Sequence, residues 1–195
     1  MTRSLAVTFD YRCPFAYNAH AAIVAALRAG ADLDVRFLAF SLDQIHLAEG
    51  ETPIWDRPDG ERGTGVLALE WGLAVRDHFA EHFLDYHLAV FAARHEHARL
   101  IKDEVVLRAV AVSAGLDADA VAAVVATGGP RRVLAAEHTE SVERWAVFGV
   151  PTFVEGDEAV FIRFMEPGRV DDLERALDLL SWTRLNEFKR TRLPR

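Results

Sequence analysis

The sequence predicts an α/β fold in which a long, entirely helical segment separates two β-containing parts. Residues 1–45 follow a strand–helix–strand pattern, and residues 146–182 follow a strand–strand–helix pattern. Between them, from about residue 64, apolar residues recur at helical spacing. The chain has 195 residues, of which 51% are hydrophobic and 27% charged, so it is long and apolar enough to bury a sizeable core.

The N-terminal part predicts a parallel β-α-β unit. Residues 5–9 form a short apolar and β-branched run, which is typical of a strand. Pro14 indicates the first turn of a helix, where proline is favoured, and Gly30 indicates its end. A second strand is expected at residues 35–40, and two parallel strands joined by a helix imply a right-handed crossover.

The remaining elements follow from turn residues and periodicity. Glycines and prolines punctuate residues 41–63, which we interpret as a loop or lid that carries Trp55. Strands at 150–154 and 159–164, separated by a tight turn, predict a hairpin, and an amphipathic helix follows it.

We therefore divide the chain into an α/β domain, a helical insertion and a basic tail. The α/β domain comprises residues 1–45 and 146–182, the insertion comprises 60–145, and the tail comprises 183–195.

Charge and composition exclude several classes of function. The net charge of −8 argues against affinity for nucleic acid or for anionic membrane surfaces, and no apolar run has the length of a membrane span. The apolar N-terminal stretch is too short for a signal peptide, and the single cysteine allows no disulfide within the chain, so we expect a cytoplasmic location. Of the 22 basic residues only Lys102 and Lys189 are lysines, a bias typical of GC-rich bacterial genomes.

One candidate reactive group stands at the junction of the first strand and the first helix. Cys13 begins the segment Cys13-Pro14-Phe15-Ala16. A cysteine at a helix N-terminus faces unpaired N–H groups and the positive end of the helix dipole. Both favour the thiolate, so we expect a pKa below the ordinary value of about 8.5.

A second motif, Gly149-Val150-Pro151-Thr152-Phe153, begins the third strand. Together with the cysteine motif it resembles the DsbA-like branch of the thioredoxin superfamily, which includes FrnE-type proteins, kappa-class glutathione transferases and chromene-carboxylate isomerases. The resemblance implies a thioredoxin fold with a large helical insertion. It also implies a cis Pro151 that faces the thiol, beside a Val150 backbone that pairs with a thiol ligand or peptide.

The chain departs from the family pattern at Ala16, where redox members carry a second cysteine. A mixed disulfide formed at Cys13 therefore has no internal thiol to resolve it. Three functions stay open. They are a monothiol oxidoreductase that uses a low-molecular-weight thiol, a thiol-cofactor-dependent isomerase or transferase of the kappa type, and a redox-silent partner-binding domain.

The expected partners are a small-molecule thiol and a small electrophile or disulfide. No tightly bound cofactor is expected, and the small thiol acts as co-substrate. Residues 186–190 resemble the C-terminal segment of mycothiol-dependent reductases of the same superfamily, which favours mycothiol, with glutathione as the alternative. Related proteins are often dimers, so a homodimer is also expected.

Other residues near the motifs are candidates for binding the substrate or thiol. Arg12 is expected to lower the thiol pKa or to meet a carboxylate of the thiol cofactor, and Tyr17 is expected to donate a hydrogen bond. The set expected to bind the thiol or its substrate is Arg12, Pro14, Phe15, Tyr17, Trp55, Val150 and Thr152, beside catalytic Cys13 and Pro151.

The histidines invite a metal interpretation, which the spacing does not support. His78 and His82 lie one helical turn apart, but neither they nor the later His87, His95 and His97 match a zinc motif. We expect these side chains to be exposed on polar helix faces, and we expect the same of His20.

Overall fold

A single mixed sheet of four strands forms the centre of the described chain. The structure, a computed structural model, describes residues 2–192, so Met1 and the last three residues of the basic tail lie outside it. The strands are β1 (Arg3–Phe9), β2 (Leu33–Ala39), β3 (Thr152–Glu155) and β4 (Glu158–Phe161). Their order is β2-β1-β3-β4, with β1 and β2 parallel and the pairs β1–β3 and β3–β4 antiparallel.

Helices occupy most of the remaining chain. They are α1 (Pro14–Arg28), α2 (Leu42–Ile45), α3 (Val66–His78), α4 (Phe83–His95), α5 (Glu104–Ser113), α6 (Ala118–Ala126), α7 (Gly129–Trp145) and α8 (Val170–Leu180). Short 3-10 turns lie at Ile54–Asp56, Asp59–Glu61 and Ala80–His82. Within residues 2–192, no helix is both long and apolar enough to traverse a bilayer.

The helical segment packs on the sheet and on α1. Helix α4 contacts α1, while α7 contacts β2 and α3. Two buried side chains of α7 bind the end of β2. Glu137 accepts the Ala39 N–H at 2.7 Å, and His138 Nδ1 accepts the Ser41 N–H at 3.2 Å. The insertion is therefore joined to the sheet by buried polar contacts as well as by apolar packing.

The expected order of elements is present, with local differences. Residues 41–63 are not a plain loop, because Ser41 caps α2 by accepting the Gln44 N–H at 3.3 Å and two 3-10 turns follow. The hairpin strands are shorter than expected, at four residues each. In the tail, the described residues 183–192 form neither helix nor strand.

Candidate functional site

Cys13 caps the first helix and faces the proline turn. It has extended backbone angles, and Pro14 follows at the first helical position. The Cys13 thiol is 8% exposed and donates to the Val150 carbonyl oxygen at 3.3 Å, across 137 positions of sequence. The Val150–Pro151 peptide bond is cis. The structure thus brings the two sequence motifs into direct contact.

The prediction of a lowered thiol pKa is wrong. Burial raises the pKa of Cys13, and this effect exceeds the opposing effect of the Phe15 and Ala16 N–H groups at the helix start. The nearby carboxylate of Asp10 raises the pKa further. The N–H groups at the helix N-terminus stabilise the thiolate, but burial deprives the thiolate of hydration. The lost hydration energy exceeds the stabilisation by the helix N-terminus, so the pKa rises. The resting group is a thiol, as its hydrogen bond to a carbonyl requires.

Thr152 holds the proline turn against β1. Its N–H donates to Thr8 Oγ1 at 2.9 Å, and its hydroxyl donates to the Gly149 carbonyl at 2.8 Å. Both threonines are buried. Thr152 therefore shapes the turn from within, and its expected role in binding a thiol or substrate stays a prediction.

Arg12 is occupied by carboxylates of its own chain. It pairs with Asp10 at 3.2 Å and with Asp43 at 2.6 Å, and it also contacts the Thr64 hydroxyl at 3.2 Å. A Cβ on Gly65 would lie 2.6 Å from Arg12 Nε, so the glycine makes room for the guanidinium. In this structure the Arg12 side chain fastens the 41–65 segment to the end of β1, and its expected contact with a ligand stays a prediction.

Tyr17 and Trp55 contact residues of the helical segment. The Tyr17 hydroxyl donates to Glu96, and its ring stacks on His95 with centroids 5.8 Å apart. Burial, together with Glu96, raises the pKa of Tyr17 to about 12. Trp55 packs against His138 and lines a separate cavity of about 400 Å³ that Cys13 does not line.

A buried chain of hydrogen bonds fixes the loop before the thiol. The Tyr11 hydroxyl lies 2.9 Å from His87 Nδ1, His87 Nε2 lies 2.8 Å from His20 Nδ1, and His20 Nε2 lies 3.2 Å from the Thr8 carbonyl. A carbonyl only accepts, so His20 Nε2 donates to Thr8, and this fixes the neutral tautomer of both rings. The Tyr11 hydroxyl and all four ring nitrogens of His20 and His87 then have a hydrogen-bond partner.

The expectation that His20 and His87 are exposed is wrong, because both are fully buried. Burial lowers the pKa of His20 to about 4 and holds the pKa of His87 well below its ordinary value. The signal was present in the spacing, since His87 lies midway between Phe83 and Phe91 on one apolar face. His95, half-buried on the same helix, bonds the Tyr11 carbonyl at 2.9 Å, so α4 holds Tyr11 from both ends.

Gly72 makes room for the Tyr11 hydroxyl, which yields a stability prediction. A Cβ at Gly72 would lie 2.4 Å from the Tyr11 oxygen and 2.9–3.0 Å from its ring carbons. We expect Gly72→Ala to destabilise the protein by about 1–3 kcal/mol through overpacking, despite the better helix propensity of alanine. Urea denaturation measures the change.

Gly60→Ala is the matched control, because a Cβ there meets nothing within 4 Å. A Gly72→Ala variant as stable as Gly60→Ala would show that Tyr11 is not confined as described.

Arg163 was not among the site residues predicted from the sequence, yet its charge acts on the thiol. Its Cζ lies 5.2 Å from the ring centroid of Phe15 and 5.5 Å from that of Phe161. Its charge acts on Cys13 and lowers the thiol pKa in opposition to the dominant effect of burial. The residue lies just after the hairpin, and no motif in the sequence marks it.

No metal centre accompanies the thiol. Within the described residues, no group of three or more His, Cys, Asp or Glu side chains is placed to hold a metal ion. The described site combines one protonated thiol, a cis-proline turn and an arginine whose charge acts on the thiol.

The fold agrees with one known family. Residues 74–178 match the model of the DSBA-like thioredoxin domain, and the chain belongs to that family. The matched residues include Pro151 and exclude Cys13. No curated protein matches the sequence. The predicted thioredoxin fold with a helical insertion is confirmed.

Solved structures of related architecture cover nearly the whole chain. A 2-hydroxychromene-2-carboxylate isomerase is 19% identical with a TM-score of 0.65, covering 93% of this chain and 97% of its own. The cytosolic disulfide reductase DsbM from Pseudomonas aeruginosa with GSH is 22% identical with a TM-score of 0.61, covering 93% and 100%. A probable DsbA oxidoreductase from Streptomyces coelicolor is 20% identical with a TM-score of 0.63, covering 96% and 93%. At these identities the likeness establishes the fold alone.

Proposed function

We propose that the protein is a single-cysteine thiol oxidoreductase in which Cys13 exchanges with a low-molecular-weight disulfide. The observation that carries the proposal is the contact between the Cys13 thiol and the Val150 carbonyl beside cis Pro151. This contact sets the sulfur at the edge where an extended ligand would pair with the turn. Mycothiol and glutathione are the co-substrates we propose, in a cytoplasmic setting.

The chemistry balances without an internal second thiol. Cys13 loses its proton to solvent and attacks one sulfur of the disulfide. A bond forms between Cys13 Sγ and that sulfur, the original S–S bond breaks, and the second half leaves as a thiolate that takes up a proton. A second molecule of small thiol then attacks the mixed disulfide and releases Cys13, because Ala16 stands where a resolving cysteine would be.

Intact mass spectrometry tests the proposal directly. We expect incubation with oxidised glutathione or oxidised mycothiol to add the mass of one thiol moiety, and excess reduced thiol to remove it. Cys13→Ser should gain no mass. A wild-type protein that stays unmodified after prolonged incubation above pH 9 would overturn the proposal.

The raised thiol pKa predicts the pH dependence of the reaction. Because burial keeps Cys13 protonated, its rate of alkylation by iodoacetamide should rise about tenfold per pH unit between pH 7 and 8.5, with no plateau in that range. The rate is measured by quenched mass spectrometry. A plateau beginning below pH 7 would show instead that the helix start outweighs burial.

The protonated thiol also favours a second candidate, a thiol-cofactor-dependent isomerase or transferase. A thiol that already donates to a carbonyl is suited to hydrogen-bond the sulfur of a bound cofactor. This candidate predicts that reduced glutathione binds wild type and Cys13→Ser with similar affinity in calorimetry and forms no adduct. If the protein forms no adduct and binds no reduced thiol, the remaining candidate is the redox-silent partner-binding domain.

A further inference from the structure

Arg163 is fixed beside the thiol by contacts on both sides. The preceding Ile162 N–H donates to the Pro151 carbonyl at 3.3 Å. The following Phe164 carbonyl accepts from Asn18 Nδ2 on α1 at 2.9 Å. The backbone that carries Arg163 is therefore tied both to the proline turn and to the helix that Cys13 caps.

The guanidinium of Arg163 rests on aromatic rings and has no acidic partner. Its Cζ lies over Phe15 and Phe161, and within residues 2–192 no carboxylate forms an ion pair with it. Arg12, the other arginine near the thiol, is instead neutralised by Asp10 and Asp43. Among the residues that the structure describes, Arg163 is therefore a cation near this site with no ion-pair partner, in a protein of net charge −8.

The aromatic surface continues outward from the cation. Phe148, which is 66% exposed, packs on Phe161 with ring centroids 5.1 Å apart. Arg163 and the rings of Phe161 and Phe148 thus form one continuous cationic and aromatic surface, of which Arg163 and Phe148 are exposed. A guanidinium with free N–H groups suits a carboxylate, to which it can donate two parallel hydrogen bonds.

We infer that Arg163, seated on Phe15 and Phe161, is the residue that selects carboxylate-bearing disulfides and thiols for reaction at Cys13. This inference rests on the proposed function, since it assigns the substrate class of the same site. Of the two co-substrates proposed above, only glutathione carries carboxylates, so the inference favours glutathione over mycothiol. Arg163 acts as a specificity residue that touches the ligand, while the exchange of disulfide bonds proceeds at Cys13 as above.

Two aromatic disulfides of similar size test the inference. Dithiobis(nitrobenzoate) carries two carboxylates, and dithiodipyridine is neutral at pH 8. We expect Arg163→Gln to lower the ratio of the anionic to the neutral rate about three- to tenfold, the effect of one charge at short range in water. The ratio is the useful measure, because loss of Arg163 also reduces the thiolate fraction and so slows both probes.

Arg132→Gln is the matched control, since it makes the same charge change on an exposed position of α7. It should leave the ratio unchanged. Added salt should lower the anionic rate in wild type and have less effect in Arg163→Gln, because screening weakens an exposed charge contact.

The outcomes separate the inference from the function on which it rests. If both probes react with wild type but Arg163→Gln and Arg132→Gln give the same ratio, the inference fails and the thiol function stands. If neither probe reacts at Cys13, as judged against Cys13→Ser, the proposed function fails first.

Discussion

Asp10→Ala should lower the free energy of unfolding by about 3–5 kcal/mol, the largest single effect we expect in this protein. The Asp10 side chain is fully buried and accepts the backbone N–H groups of Arg12 at 2.9 Å and Leu42 at 2.8 Å, besides its ion pair with the Arg12 side chain. Its removal leaves a largely buried guanidinium without its inner partner and two amides without acceptors. Chemical denaturation at pH 7 measures the loss.

Two variants bracket that result. Asp10→Asn keeps the shape and one acceptor oxygen, so it should lose less stability than Asp10→Ala. Asp171→Ala removes an exposed carboxylate that pairs with Arg169 on the surface and should change stability little. A loss for Asp10→Ala no larger than for Asp171→Ala would show that the Asp10 network does not hold the thiol loop.

The second large effect is a loss of stability in mild acid. The folded protein keeps His20 neutral until about pH 4, whereas an unfolded chain protonates histidine near pH 6.5. Between these values the unfolded state binds more protons, so stability falls as the pH drops. For His20 alone the full loss is about 3 kcal/mol, and His87 and His138, whose pKa values are also lowered by burial, add to it.

Urea denaturation at several pH values between 7 and 4.5 tests this prediction. His20→Gln is expected to be less stable at pH 7 but to show a shallower dependence on pH. The exposed His78→Gln should keep the wild-type dependence. If the free energy of unfolding depends on pH equally in wild type, His20→Gln and His78→Gln, then carboxylates and not the buried histidines govern the loss of stability in acid.

The sequence predicts the frame of this fold because its signals are local. Proline at a helix start, glycine after a helix end and alternating apolar runs each act within a few residues, and the elements lie where those signals indicate. The contact between Cys13 and the Val150 carbonyl beside Pro151 could be predicted as well, because the resemblance relates the two motifs in space.

The protonation state of the thiol and the ion pairs around it could not be predicted from such local signals. Whether Cys13 is a thiol or a thiolate depends on how far burial offsets the helix start, and burial is set by packing between distant segments. Arg12 was assigned to a ligand because its partner Asp43 lies inside the segment predicted as a loop or lid, and its pairing with Arg12 leaves no trace in the sequence. Arg163 was missed because its position over Phe15 depends on how the hairpin returns to α1.

The buried histidines illustrate the same limit. Hydropathy scales rank histidine as polar, so a buried histidine is not predicted unless its hydrogen-bond partner is known. His20 and His87 come from different helices and satisfy each other, with Tyr11 and Thr8 at the ends. This network joins residues that are distant in the sequence, so the sequence indicates it only through the apolar spacing around His87 on α4.

The central claim is that Cys13 exchanges disulfides at the edge of the cis Pro151 turn. The most direct measurement is a crystal structure of the protein after reaction with oxidised glutathione. We predict continuous electron density from Cys13 Sγ into one glutathione moiety, lying along residues 149–151 with a carboxylate at Arg163. A free thiol still bonded to the Val150 carbonyl, in protein exposed to excess disulfide at high pH, would contradict the account.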